Sequence, residues 1–260
     1  MAIKLRTRRE IELIRNAGSI VADVLSKLQE ISKPGVTTGY LNSIASQMTA
    51  EAGAEALFKG VRGPYGTKPF PGAICTSINE QVVHGIPSES VVLRDGDILS
   101  IDFGVKLAGY CGDAAITICI GEVPQHKRRL VEVTRRALEI AIENASPGEK
   151  WSTIAAQMQN YVESAGFAIV KEFVGHGIGT RMHEEPKVPN FVSEELLAND
   201  IVLTEGMVLA VEPMVNAGTA DVQTLKDGWT VVTKDGKCSA HFEHTIAITK
   251  NGCEVLTTKK

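Results

Sequence analysis

The residues of this chain that could do chemistry are carboxylates and histidines set among apolar neighbours. Residues 98–105 read Ile-Leu-Ser-Ile-Asp-Phe-Gly-Val, and residues 113–120 read Asp-Ala-Ala-Ile-Thr-Ile-Cys-Ile. Both segments are strand-like, with Leu99, Ile101, Phe103 and Val105 alternating onto one face and a turn near Leu107-Ala108-Gly109. A symmetric turn there sets Asp102 opposite Asp113 across a hairpin, with Cβ atoms about 4.5–5.5 Å apart. Two like charges so placed repel, and each loses hydration worth several kcal/mol. A shared proton or bound cations would relieve the conflict. Glu212 and Glu243 sit in comparable apolar stretches, which makes four acids. One proton cannot offset four carboxylates, whereas two divalent ions can.

Histidine is the other expected ligand. His84 and His176 share the tripeptide His-Gly-Ile, and His176 lies in Val-Gly-His-Gly-Ile-Gly, whose glycines are expected to let the backbone approach a ligand. His183 follows in Met-His-Glu-Glu-Pro, and His244 directly follows Glu243. His126, beside Lys127 and Arg128, reads as a solvated helix residue, while His241 fits either a structural or a functional role. An oxygen-rich site with one imidazole suits Mn, Fe, Co or Zn and discriminates poorly among them.

The elements that must position these groups occur twice. Thr7 and Glu10 form a capping-box pattern ahead of Ile11, Ile14, Ala17, Val21, Val24, Leu25 and Leu28, and Pro34-Gly35 ends that helix. A second helix follows Thr37 or Thr38 and stops at Gly53. Further on, a helix carrying Leu130, Val133, Ala137, Leu138 and Ala141 ends at Pro147-Gly148, and another with Ile154, Met158 and Tyr161 stops at Gly166. The strand segments repeat as well. The stretch from Leu93 to Asp102 aligns without a gap on that from Leu203 to Glu212, and the stretch from Gly112 to Ile118 aligns on that from Phe242 to Ile248. Acid meets acid in both: Asp102 with Glu212, and Asp113 with Glu243. The expected architecture is α+β in a single catalytic domain over 1–260, duplicated internally with halves of roughly 1–123 and 124–260 around one shared site.

The composition agrees with a globular enzyme and excludes several classes. In 260 residues there are 27 Lys+Arg against 31 Asp+Glu, with 43% hydrophobic and 22% charged residues, so disorder and collagen-like structure are ruled out. The mildly acidic balance argues against DNA as a partner. No apolar run approaches the roughly 18–20 residues of a membrane span, and Glu10, Glu12 and Arg15 interrupt any signal-peptide pattern. Five scattered cysteines form no C-x-x-C pair, which suits reduced, mostly buried thiols in a cytoplasmic protein. Lys4, Arg6, Arg8 and Arg9 read as a solvated helix end, with a ribosomal RNA contact as the alternative.

The motifs resemble those of the short, bacterial-type (type I) methionine aminopeptidases of the pita-bread metallopeptidase family. They are Ser77-Ile-Asn-Glu80 leading to His84-Gly-Ile-Pro87, Ser100-Ile-Asp-Phe-Gly104, Gly112-Asp113-Ala, Gly175-His-Gly-Ile-Gly179, His183-Glu-Glu-Pro186, Val211-Glu-Pro-Met214 and Phe242-Glu-His-Thr245. The resemblance runs over nearly the whole chain and implies a fold of two pseudosymmetric halves, an antiparallel sheet core with flanking helices. It implies two divalent metal ions (Co, Mn, Fe or Zn), with Asp102 and Asp113 holding one, His176 and Glu212 the other, and Asp113 and Glu243 bridging both. It also implies a hydroxide generated between the ions that attacks the scissile carbonyl, and a free α-amine bound at one metal. Glu212 is then the candidate proton shuttle, while His183 and His84 contact the substrate. Phe70, Cys75, Met182 and Trp229 would line an apolar pocket slender enough for a thioether. Thr67 and Met182 stand where relatives often carry an aromatic, so the pocket's width is open. The implied substrate is the N-terminal Met of nascent proteins with a small second residue. A monomer is expected, and the ribosome surface is a candidate partner.

Fold relatives set the competing readings. Proline-specific aminopeptidases and prolidases carry an extra N-terminal domain for which this chain has no length, and the second methionine aminopeptidase class carries an insertion between the regions of His183 and Glu212. The amidinohydrolase relative lacks the metal ligands. A silent peptide-binding module would have lost a ligand, and a dinuclear phosphoesterase calls for cations near the acids, where the motifs offer only Arg181.

Overall fold

Thr7 sets the start of the first helix. Its hydroxyl accepts from the Glu10 backbone N–H, and the Glu10 carboxylate accepts in return from the Thr7 N–H at 2.8 Å. This capping box opens α1 (Arg8–Ile31), and Thr37, accepting from the Tyr40 N–H at 3.0 Å, opens α2 (Thr38–Glu51). The second pair, α3 (Gln125–Asn144) and α4 (Trp151–Ser164), has no side-chain cap. It relies on burial instead: Trp151 is fully buried, and its indole N–H donates to the Pro189 carbonyl at 2.7 Å. A short α5 (Glu194–Ala198) completes the helices. These coordinates are a computed structural model describing residues 3–63 and 66–259.

The strands are β1 (Glu55–Ala56), β2 (Cys75–Ile78), β3 (Gln81–Val83), β4 (Ile98–Leu107), β5 (Tyr110–Cys119), β6 (Ala168–Ile169), β7 (Gly175–Gly177), β8 (Glu184–Val188), β9 (Val208–Val211), β10 (Met214–Asn216), β11 (Val222–Thr224), β12 (Val231–Thr233), β13 (Ser239–His241), β14 (Glu243–Thr249) and β15 (Gly252–Val255). The main sheet runs β1-β4-β5-β14-β9-β7-β8, with β2 also on β4 and β15 also on β14. Its pairs are antiparallel. Two three-stranded sheets, β13-β10-β6 and β11-β12-β3, flank it.

One face of the main sheet takes the helices. Leu99, Ile101, Phe103 and Val105 of β4, with Ala114 and Ile118 of β5, pack against α1 and α2. Leu209, Val211, Ile246 and Ile248 of β9 and β14 pack against α3 and α4. Because strand side chains alternate, the residues between these belong to the opposite face, and Asp102, Asp113 and Glu243 are among them. α1 lies so close to β5 that a Cβ on Gly112 would sit 2.6 Å from the Gly18 nitrogen.

The hairpin register corrects the expected face-to-face pairing of Asp102 and Asp113. The turn is the two-residue Ala108-Gly109, with φ of 48° and 86°, so Leu107 pairs with Tyr110. This centre lies one residue beyond the one that face-to-face pairing requires. Asp102 therefore faces Ala115, and Asp113 faces Gly104. The two acids are diagonal neighbours on one face, and the close packing is made between each acid and a small residue.

Candidate active site

Two rows of residues cross this second face. In the first, Cys75, Asp102, Ala115 and Glu243 lie side by side on β2, β4, β5 and β14. In the second, Gly104 faces Asp113, and Thr245 follows: its hydroxyl accepts from the Asp113 N–H at 3.1 Å and donates to the Asp113 carbonyl at 2.8 Å. Ala210 and then His176 of β7 complete this row. Acids and His176 thus alternate with Ala, Gly and Thr. The small residues make the space the carboxylates occupy: a Cβ on Gly104 would lie 3.0 Å from Asp113 Oδ1. Glu212 follows β9 directly, and its backbone carbonyl accepts from the Asn190 side chain at 3.1 Å.

One ligand atom each of Asp113, His176 and Glu243 lies within 4.8 Å of the other two. Asp113 and Glu243 are 4% and 2% exposed. Burial pushes the Asp102 carboxyl up to about 7. It pushes Asp113 well above the usual carboxylate range, with the Asp102 charge adding to the effect. Glu212 and Glu243 are raised well above that range too, by burial first and then by the neighbouring acids. Among the described residues, no Lys or Arg lines the cavity around them. Asp102 Oδ1, Asp113 Oδ1, Glu243 Oε1 and His241 Nε2 are buried with no hydrogen-bond partner. Repulsive, desolvated and unpartnered oxygens facing one another are a donor set that fits divalent metal.

His176 agrees with this. Its Nδ1 lies 3.0 Å from the Gly177 carbonyl, which can only accept, so Nδ1 carries the proton. The lone pair on Nε2 then faces Glu212 Oε1 at 3.6 Å, two electron-rich atoms turned toward each other. Burial holds His176 at about 4, so it is neutral near pH 7.

The glycines around His176 serve a purpose other than the expected approach to a ligand. A Cβ on Gly175 would strike the Ala210 carbonyl, one on Gly177 the Glu185 carbonyl, and one on Gly179 the Arg6 guanidinium. They let β7 sit tightly between β9 and β8 and let Arg6 pass. Arg6 is itself a correction, since it is buried and paired with Glu184 rather than solvated; Lys4, Arg8 and Arg9 are exposed. His126 is exposed as expected.

A cavity of about 200 Å³ is lined by Asp102, Asp113, His176, Glu212 and Glu243 and by Phe58, Val61, Phe70, Cys75, Met182 and Trp229, of which Phe58, Phe70, Cys75, Met182 and Trp229 form one apolar cluster. The five expected metal ligands, His84, His183 and the four expected pocket residues all line it, whereas Thr67 and His244 do not, the His244 Nδ1 lying 2.7 Å from the Thr257 hydroxyl. Phe70 and Trp229 meet edge to face at 5.2 Å, and the Trp229 indole N–H donates to the Lys68 carbonyl at 2.8 Å. Burial and the adjacent Asp102 push the Cys75 thiol up, which keeps it a wall of the pocket rather than a nucleophile. His84, with φ of 60°, is held in the left-handed region between Phe173 at 5.6 Å and Trp229 at 6.3 Å. The His183 ring stands over His176 at 4.4 Å. A second cavity of about 420 Å³ shares His84, His176, His183 and Glu212 with the first and continues past Phe173, Arg181 and Lys187. The pocket thus has an apolar end and a side that leads onward.

Sequence reasoning left His241 undecided and did not name Phe58 or Val61. His241 is 1% exposed, and its Nε2 lies 4.0 Å from Glu212 Oε2. Its place two residues before Glu243 was the available signal, but Phe242 separates β13 from β14, so strand alternation does not carry through.

Residues 12–250 match the model of Metallopeptidase family M24. The chain is 48% identical over 252 residues to methionine aminopeptidase 1 of Bacillus subtilis, covering 97% of this chain and 98% of that protein. The crystal structure of methionine aminopeptidase from Thermotoga maritima superposes with a TM-score of 0.93 at 40% identity, covering 99% of this chain and all of that one. The prolidase of Pyrococcus horikoshii shares the fold, with a TM-score of 0.75 at 23% identity, and this chain spans 64% of its length.

Proposed function

The chain belongs to Metallopeptidase family M24 and has its pita-bread α+β fold, and from that membership we propose a dinuclear aminopeptidase that removes N-terminal methionine where the second residue is small. The family and its relatives make it a metal-dependent exopeptidase, a hydrolase. The observation that carries the finer reading is the set of five converging donors, four of them mutually repelling acids, against one wall of an apolar pocket. Asp102 and Asp113 would hold one ion and His176 and Glu212 the other, with Asp113 and Glu243 shared. Co, Mn, Fe or Zn suits these donors. Bound divalent metal would neutralise the acids, lower the pKa of a bound water and polarise the scissile carbonyl.

The chain's own groups do the rest. Phe70, Met182 and Trp229 present an apolar wall to a methionine side chain, and the thioether suits their mixture of ring edges and sulfur. Glu212, half-buried and lining both cavities, would take a proton from water and pass it to the leaving amine. His84 and His183 are neutral near pH 7, because burial lowers the first to about 4 and lowers the second as well. Each can donate a hydrogen bond to peptide without adding a positive charge: His183 to the carbonyl oxygen as it becomes tetrahedral, His84 to the scissile amide or the residue after it. The rest of the substrate leaves through the cavity past Phe173.

The two halves are read as a duplication. The order β4-β5-β14-β9 supports this, since it sets Asp102 and Glu212 at its outer members and Asp113 and Glu243 at its inner ones. A cytoplasmic monomer acting on new chains goes with this reading; the five cysteines are free, and among the described residues no helix is long and apolar enough to cross a membrane.

Protein stripped with chelator and refilled with Mn or Co is expected to release Met from Met-Ala peptides and to spare Met-Lys peptides. The free methionine is quantified by chromatography. No release with any divalent metal would reject the reading.

A further inference from the structure

Arg6 and Glu184 are 178 positions apart in the chain, and each side chain is 5% exposed. The Arg6 guanidinium donates to Glu184 Oε2 and lies 3.4 Å from Glu10 Oε1 at the start of α1. Its backbone N–H donates to the Gly206 carbonyl at 2.7 Å, which ties the segment to the turn before β9. The other Glu184 oxygen accepts three times, from the Thr180 N–H and the Thr180 hydroxyl at 3.0 Å and from the Arg181 N–H at 3.1 Å. Glu184 therefore closes a turn on itself. The two residues inside it, Met182 and His183, line the catalytic cavity. The base of the turn is fixed by Gly179, whose carbonyl accepts from the Cys111 N–H at 2.7 Å and whose missing side chain leaves the room that Arg6 fills.

We propose that Arg6 is a positioning residue for the reaction: by clamping Glu184 it holds the 180–184 turn so that His183 faces the scissile carbonyl and Met182 closes the apolar pocket. A buried guanidinium suits this task, because a planar fork fixes a carboxylate in orientation as well as in distance. Arg6 lines neither of the two cavities at the site. The metal-holding side chains stand on β4, β5, β7 and β14 and directly after β9, and of them His176 meets the turn, through the His183 ring at 4.4 Å.

The inference rests on the aminopeptidase reading, and activity of the unsubstituted protein on a Met-Ala peptide is the control that separates failure of one from failure of the other. In Arg6→Ala, kcat is expected to fall about 10- to 100-fold, as for other residues that orient a catalytic group. Manganese affinity, measured by calorimetry, should fall far less than kcat, while the ring nitrogen signals of His183 shift in the NMR spectrum. Arg6→Lys keeps the charge and restores most of the activity. Gly179→Ala, which puts a methyl group where the guanidinium lies, reproduces the loss with Arg6 still in the chain, and it decides the matter if Arg6→Ala does not fold. Full kcat in either Arg6→Ala or Gly179→Ala overturns the proposal. So does a loss of metal affinity equal to the loss of kcat, or a lysine variant no better than alanine.

Discussion

Glu243→Ala is expected to abolish divalent-metal binding and peptide cleavage while leaving the chain folded. Glu243 is 2% exposed, lies beside Ala115 in the row that also holds Asp102, and keeps one oxygen with no partner. Its carboxyl is raised by burial and then by Asp113, Glu212 and Asp102, so its charge opposes folding when no metal is present. Removing it takes away a donor that the two ions would share and also relieves that repulsion. The expected fall in turnover is about 10³-fold or more, roughly 4 kcal/mol of barrier. The metal-free variant should melt at or above the metal-free parent at pH 8, since lost side-chain packing of about 1 kcal/mol is set against the relieved charge. Glu243→Gln, which keeps the volume, should melt higher still. Methionine release, calorimetric metal titration and thermal melts check the three parts. Retained activity would contradict the assignment of Glu243 to the metals, and a collapsed metal-free variant would contradict the repulsion.

Much of this was legible in the chain because the site lies on strands. Alternation separates Leu99, Ile101, Phe103 and Val105 from Asp102, and it needs no tertiary knowledge to say that an acid on the other face of such a strand is costly. Helix ends were legible for a local reason: Thr7 with Glu10, and Thr37 with Tyr40, bond within one turn. What did not show was set by close approach between distant segments. The Asp102–Asp113 register turned on Ala108 adopting a left-handed conformation that an alanine does not announce. The glycines of residues 175–179 read as room for a ligand, yet they make room for the Ala210 and Glu185 carbonyls and for Arg6. Arg6 looked like one member of a solvated basic cluster, and only folding brings Glu184 to it. The five donors needed a different kind of information again. Spacing suggested acids in need of cations, while the ligand assignment came from family motifs, because His176 and Glu212 meet only through β7 and β9.

Metal-free protein is expected to lose stability as pH rises from about 6.5 to 8.5, and metal-loaded protein is not. Asp102 is raised to about 7, and Asp113, Glu212 and Glu243 are raised well above the ordinary carboxylate range. Between the unfolded and folded pKa of such an acid, the folded chain holds a proton that the unfolded chain has released. Stability therefore falls with rising pH across that interval, by up to about 1.4 kcal/mol per pH unit for each group. The histidines work in the opposite sense. His84, His176 and His244 are lowered to about 4 by burial, and His241 to about 3. Below their unfolded value near 6.5 the unfolded chain takes up protons that the folded chain refuses, so their contribution rises with pH and is complete by about 6.5. Above that point the acids act alone, and a net fall in stability with rising pH is expected for the metal-free form. Divalent metal replaces the protons that the acids share, so its binding at pH 7 should release protons, visible as a binding enthalpy that changes with the ionisation enthalpy of the buffer. The gap in melting temperature between loaded and stripped protein should accordingly widen from pH 6.5 to 8.5, and in Glu243→Ala the slope should flatten because one of the repelling acids is gone. A stripped protein whose melting temperature holds or rises over that range would mean that the four carboxylates are neutralised by something other than protons and metal.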